Sequence, residues 1–466
     1  MGAPSRRRAG GGVDRVKKLQ GVALALAAVV LVVWCIQAGN GLYLLGALIF
    51  AVGLLVSVVL HEAGHFLTAR RFGMKATQFF VGFGPTIWSF RRGETEYGVK
   101  SVPAGGFVKI IGMTPVEEVE PGDEQRAFFR FPAWQKTVVL VAGSTMHFVI
   151  AVVLVVASGF AIGSAKEVSP GAAAVATCIA PDPVFTAGMS QADYGKLLTE
   201  RTKTDTCSVP GAVPAPAAAA GLEQGDVIRS VNGTAIDSGK ALTTALRAGG
   251  GQQLTLVVER QGVERTLTVT PAVTDRQQFD DKGRAILGRE SVGTVGVTVQ
   301  QRADAVREGF VGTLESSGDA FKQFGIGIKT LFTEKLPTVT KVYSDDRDPA
   351  GFIGLVGAGR ISGEVLQSEE TTSFKAVNMV MIVASLNVFV GVFNLLPLLP
   401  LDGGHVAITW FESARDKLRR RRGYRGEIRR VDYSKLLPLT YGVSVVLLVF
   451  TVFLLGADIV NPVRIN

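Results

Sequence analysis

Leu54-Leu55-Val56-Ser57-Val58-Val59-Leu60-His61-Glu62-Ala63-Gly64-His65-Phe66 decides the reading. In it an H-E-x-x-H pentad closes a run, Leu19 to Leu60, that contains no Asp, Glu, Lys or Arg. On a helix, His61 and His65 lie one turn apart on one face and present two imidazole nitrogens to a single Zn²⁺. Glu62 stands beside them as a base for water. In a soluble helix the same pentad would be unremarkable. At the end of an apolar span an ionisable triplet requires a partner or a water-filled cavity, and a bound metal supplies the partner. Gly64 suits the close helix approach that a buried site needs.

Working outward, charge is absent from three more stretches, Thr137–Ala165, Ala376–Leu401 and Leu436–Ala457. About 20 apolar residues cross the hydrocarbon layer, so each holds one span, and the first stretch is long enough for two. Asn40-Gly41 divides it with turn chemistry. Residues 19–38 read as a retained span after a basic tail, 1–18, rather than as a cleaved signal peptide. The expected organisation is then spans at 19–38, 42–66, 134–164, 376–396 and 436–457. Between them lie a β region at 67–133, a large segment at 165–374, a broken motif at 397–405 and a basic loop at 406–435. The composition, 47% hydrophobic and 19% charged, excludes an ordinary soluble domain.

Basic residues accumulate in cytoplasmic loops. They outnumber acids six to one in residues 1–18, ten to seven in 66–136 and ten to four in 411–435, whereas 166–374 has 21 against 25. This places the large segment outside the cytoplasm and explains the net charge of +9 as anchoring charge, with no nucleic-acid partner implied. Cys178 and Cys207 fall in that segment, where an oxidising compartment favours a disulfide.

Two histidines and a glutamate leave zinc short of a third protein ligand. The intramembrane carboxylate that remains is Asp402, in Asn394-Leu395-Leu396-Pro397-Leu398-Leu399-Pro400-Leu401-Asp402-Gly403-Gly404-His405. Two prolines and two glycines interrupt the helix there. A break at membrane depth is tolerated only where protein or water shields it, and it aims a carboxylate at a metal.

With these motifs in this order, the chain resembles the site-2 protease family of intramembrane zinc metalloproteases, in particular bacterial members with one PDZ domain. The resemblance runs from about Leu42 to the last span. It implies one zinc per chain held by His61, His65 and Asp402, Glu62 as catalytic base, and Asn394 as a residue that holds the substrate backbone. It also implies that Phe80-Val81-Gly82-Phe83-Gly84-Pro85 and Tyr97 to Phe107, with Gly105 and Gly106, form a membrane-associated β-element that receives unwound substrate by β-augmentation. Where the family usually has Gly-Pro-x-x-Asn, this chain has Gly143-Ser144-Thr145-Met146-His147. His147 reads as a substitute hydrogen bonder, an accessory residue of the metal sphere or a helix-interface histidine. His405 reads as a local supporting group.

The fold class expected is a polytopic α-helical membrane protein with an inserted extracytoplasmic α+β domain, spanning 165–300, with a circularly permuted PDZ-like segment at about 209–271. Asp226–Val231 and Asn232-Gly233 give a strand and turn, Thr243–Arg247 a short helix, and Gln253–Glu259 and Arg265–Thr270 two further strands. Such a domain acts as a peptide clamp or as a size filter. Asp275–Gly293 reads as a linker or surface extension, and 301–374 as a membrane-proximal segment containing an amphipathic helix at Phe310–Lys335.

The family implies a bacterial cytoplasmic membrane location and contact with lipid. Its substrates are single-span proteins such as membrane-anchored anti-sigma factors, already cut outside by an upstream protease, or remnant signal peptides. The rival readings are a transporter and an inactive peptide-binding scaffold. The spans lack an inverted repeat, and a scaffold has no need of all four of His61, Glu62, His65 and Asp402.

Overall fold

The computed structural model describes residues 40–113, 119–202, 206–279, 285–344, 347, 351–368, 370–426, 431–432 and 435–463. The expected tail 1–18 and span 19–38 lie outside them. The elements in the first third of the chain are α1 (Gly41–Arg71), β1 (Ala76–Arg92), β2 (Thr95–Ile110), α2 (Ala133–Ala161) and β3 (Ser164–Val175). Then come β4 (Cys178–Ile179), α3 (Gln191–Thr202), β5 (Val213–Pro214), α4 (Pro216–Ala219), β6 (Val227–Val231), β7 (Thr234–Ala235) and α5 (Gly239–Ala248). The strands β8 (Leu254–Arg260), β9 (Val263–Val269), β10 (Ala272–Phe279), β11 (Ala285–Thr294) and β12 (Val297–Val306) follow. The chain ends with α6 (Phe310–Thr330), α7 (Leu355–Gln367), α8 (Thr372–Asn394), α9 (Asp402–Arg421) and α10 (Leu437–Val460). Two compact units result, one from residues 165–306 and one from the chain on either side of them.

In the helical unit, α1, α2, α8 and α10 are long and apolar enough to cross a membrane. Val445, Val446, Leu448, Val449 and Val452 of α10 are each more than half exposed. Such a belt is a liability in water and matches hydrocarbon. Helix α2 packs against both α1 and α8, with Ala151, Val155, Ala384 and Val388 buried between α2 and α8. Helix α1 also packs on α7, where a Cβ on Gly46 would run into the Ser362 carbonyl. Phe66, Met74, Ile110, Val139, Leu140 and Val406 form a second core that joins α1, the β-element, α2 and α9.

The β-element is a folded-back hairpin. Each of Gln78, Phe79, Phe80 and Val81 pairs on one side with 106–109 and on the other with 96–99, and 96–99 pairs again with 88–91. The strand order is therefore 106–109, 78–81, 96–99, 88–91. Gly82 and Gly84, with φ of 87° and 83°, let β1 reverse on itself, a conformation in which L side chains are strained. Among the described residues no further strand pairs with the outer side of 106–109.

The last span runs past the expected boundary at 457, and its extra turn brings in Asp458. There Arg347 Nη2 meets the carboxylate at 2.9 Å, with the two side chains 4% and 1% exposed. Asp458 also accepts the Gly357 N–H at 2.8 Å. Removing one partner of a buried pair costs about 3–5 kcal/mol because the other charge is left uncompensated. Asp458→Ala is expected to lower the thermal midpoint of detergent-purified protein by several degrees, and replacing Arg347 and Asp458 together by apolar residues to recover most of that loss.

The second unit is built on a sheet of order β12-β3-β6-β8-β9, with β7 paired to β6. Ile228, Leu242, Leu246, Leu256, Val258 and Val295 fill its core. This sheet draws β3 and β12 from outside 209–271, so the folded region is larger than that segment. Within Asp275–Gly293, expected as a linker or surface extension, the described residues 275–279 and 285–293 belong to the paired strands β10 and β11, registered Asp275 to Ser291 and Thr274 to Val292. Polar side chains of β10 are held by hydrogen bonds and ion pairs. Buried Gln277 donates to the Gly288 carbonyl at 3.0 Å, and Arg276 pairs with Asp182 at 2.7 Å. Cys178 and Cys207 are disulfide-bonded with Cα atoms 5.2 Å apart.

Asp226, fully buried, directly precedes β6 and meets Arg260 at 2.6 Å. Burial alone would raise its carboxyl, but the Arg260 hydrogen bonds, the Glu223 backbone N–H and the Arg260 charge outweigh it and hold the group below the ordinary carboxylate range. The stability this contributes is present above the unfolded carboxyl pKa and is lost as pH falls through the lower, folded one. Arg260→Ala is therefore expected to move acid unfolding of this unit, followed by circular dichroism, to higher pH.

Candidate metal centre

The centre is assembled from three helices. His61 and His65 project from one face of α1, both 8% exposed. Asp402 opens α9 after α8 stops at Asn394. The return between them is too tight for side chains at two positions. A Cβ on Gly403 would meet the Leu395 and Leu396 carbonyls, and one on Gly404 the backbone of Leu398 and Leu399. Helix α2 closes the third side. A Cβ on Gly143 would collide with His65 Nε2 and His61 Cε1, and one on Gly64 would lie 2.6 Å from the Ala142 carbonyl oxygen.

The atoms that converge are His61 Nε2, His65 Nε2 and Asp402 Oδ2. Their separations are 3.1 Å between the two nitrogens and 3.4 and 3.3 Å from each nitrogen to the carboxylate oxygen. A tetrahedral zinc with bonds of about 2.0–2.1 Å has ligand–ligand edges of about 3.3–3.4 Å. The His65 Nδ1 donates to the Val139 carbonyl at 2.7 Å, which leaves Nε2 bare and fixes the ring, as second hydrogen bonds to metal-bound imidazoles do. Asp402 Oδ2 is buried without a hydrogen-bond partner among the described residues. Three buried acceptor positions facing one point are costly unless a cation joins them, so the donor set fits zinc with a fourth position left open.

Glu62 follows His61 directly, and its carboxylate faces the backbone of Val108 on the outer strand of the β-element. Gly106 of the same strand packs on Glu62, since a Cβ there would lie 3.1 Å from Glu62 Cγ. Gly105, at φ 150°, faces the Phe83 ring instead. Asn394 ends α8. His405 lies one turn beyond Asp402 on α9 and is not among the three converging ligands. His147 is 2% exposed, with its ring centroid 4.9 Å from that of His61. Sequence reading missed its partner. Asn387 of α8 bonds His147 Nδ1 at 2.8 Å and Ser57 Oγ at 2.9 Å. The signal was present, because a polar Asn and a Ser inside apolar spans call for partners.

A metal-binding triad on helices of a multi-pass membrane protein, with a glutamate adjoining one ligand, defines a membrane-embedded zinc metalloprotease. The model of Peptidase family M50 matches residues 49–429, and the chain belongs to that family. It is 37% identical over 430 residues to Zinc metalloprotease Rip1 of Mycobacterium tuberculosis, covering 91% of this chain and 99% of the relative. Rip1 of Mycolicibacterium smegmatis is 34% identical over 430 residues, covering 90% and 98%. Metalloprotease MmpA of Caulobacter vibrioides is 27% identical over 434 residues, covering 86% and 94%.

Because Gly143 has no room for a side chain, Gly143→Val is expected to abolish stoichiometric zinc in purified protein, and His61→Ala and Asp402→Ala are expected to do the same. Elemental analysis checks this.

Proposed function

We propose that this protein is an intramembrane endopeptidase of the site-2 type, cleaving single-span membrane proteins whose outer domains have already been removed. The observation that carries the reading is the position of the outer strand 106–109, which has no further strand beside it among the described residues and lies against Glu62 next to the His61–His65–Asp402 triad. A helical substrate hides its scissile amide, whereas an extended one adds to such an edge through main-chain hydrogen bonds. Gly106 keeps that edge close to Glu62, and Asn394 helps to hold the substrate backbone.

His61, His65 and Asp402 would hold a zinc ion that, when bound, would supply Lewis acidity toward water and toward the scissile carbonyl. Glu62 takes a proton from the attacking water as oxygen adds to the carbonyl carbon. It then gives that proton to the amine as the C–N bond breaks.

The excess of basic residues in the other loops supports reading residues 165–306 as extracytoplasmic and the apolar helices as spanning a bacterial cell membrane. The sheet of 165–306, with α5 beside it, is read as a PDZ-like module that clamps a peptide or excludes bulky substrates. Anti-sigma-factor-like regulators are the substrate class this arrangement suits, with cleavage releasing a cytoplasmic fragment in stress signalling. Glu62→Gln is expected to keep one zinc per chain and to lose cleavage of a single-span substrate by at least about 10²-fold. Equal cleavage by both proteins in a reconstituted assay would remove Glu62 from the mechanism.

A further inference from the structure

His147 is the imidazole near the centre that the triad does not use, and its surroundings determine which of its nitrogens carries the proton. Asn387 is 1% exposed. One side of its amide faces the Val383 carbonyl at 2.8 Å and Ser57 Oγ at 2.9 Å. The carbonyl only accepts, and the single Ser57 hydroxyl hydrogen is already donated to the Gly53 carbonyl at 2.8 Å. Both neighbours therefore require the NH₂ of Asn387, and its Oδ1 must face His147. That oxygen accepts from His147 Nδ1 at 2.8 Å, so in the neutral ring Nδ1 carries the hydrogen and Nε2 is a bare acceptor.

With Nδ1 committed to α8, Nε2 is directed away from that helix. His147 follows Gly143 by four residues on α2, on the face that meets the two ligand imidazoles. Its ring lies beside His61, yet it is outside the group of converging ligands. Two donors enter such a site during peptide hydrolysis, the water and the scissile N–H. Glu62 accepts from the first.

We propose that the chain Gly53–Ser57–Asn387–His147 holds His147 in its Nδ1–H tautomer so that Nε2 accepts the N–H of the scissile amide, positioning the nitrogen that leaves. This rests on the endopeptidase reading, but its first test does not need activity. The chain has four histidines, so ¹⁵N-histidine labelling of zinc-loaded protein in detergent yields four imidazoles, and His147→Asn identifies the one in question.

The expected spectrum shows protonated Nδ1 and bare Nε2 for His147, and Asn387→Leu shifts that ring toward the other tautomer. A wild-type ring protonated at Nε2, or one indifferent to Asn387→Leu, overturns the proposal. In the cleavage assay, His147→Phe is expected to keep one zinc per chain and lower kcat about 10²-fold with KM changed less than about threefold. His147→Asn, whose amide offers both a donor and an acceptor, should recover at least about tenfold. Asn387→Leu should add little to His147→Phe, because the two act through one contact. Loss of zinc in His147→Phe, or full kcat with zinc bound, rejects the role. If the tautomer holds and neither wild type nor variants cleave, the endopeptidase reading fails on its own.

Discussion

Three lone pairs aimed at one point inside a hydrophobic span constrain the rest of this structure. Buried acceptors within about 3.4 Å of one another demand a cation, and a cation in hydrocarbon demands a protein shell that keeps its ligands rigid. The shell is visible in the glycines. Gly64 brings α1 against the backbone of α2, Gly143 leaves room for the two imidazoles, and Gly403 and Gly404 permit the return that delivers Asp402. The Val139 carbonyl orients His65 from α2. A rigid ligand set follows from close packing, and close packing follows from missing side chains.

The same constraint organises the approach to the centre. The β-element is anchored by Met74, Ala76 and Ile110 in the core shared with α1, α2 and α9. Its outer strand is consequently held against Glu62 instead of floating in the interface. Its remaining surface, with Phe83, Ile87, Trp88 and Phe90 exposed, is apolar and suits contact with lipid. At the far end of the bundle, the Arg347–Asp458 pair ties α10 to α7 through the Gly357 N–H, a polar clamp with no evident link to the metal centre.

Much of this was legible in the sequence because charge is excluded so sharply from the spans. The uncharged runs mark α1, α2, α8 and α10, and the H-E-x-x-H pentad and Leu401-Asp402-Gly403 announce residues that the fold brings together. What stayed hidden depends on partners distant in the chain. Asn387 and Ser57 are 330 positions apart, and nothing local says that they share a hydrogen bond or that it orients His147. Asp275–Gly293 reads in sequence as a linker or surface extension, and the pairing of β10 with β11 within it is hidden because Gln277 and Arg276 are held by hydrogen bonds that no hydrophobic periodicity reveals. The pairing of β3 and β12 with the strands of 209–271 is likewise a matter of residues distant in the chain.

The most direct test of the account is zinc K-edge X-ray absorption on detergent-purified protein, because it reads the ligand set itself. The account predicts a low-coordinate shell of nitrogen and oxygen at about 2.0–2.2 Å with the outer-shell pattern of two imidazoles, reduced by one light-atom ligand in Asp402→Ala if that variant retains any metal. A shell containing sulfur at about 2.3 Å, an imidazole count other than two, or a spectrum unchanged by Asp402→Ala would contradict it.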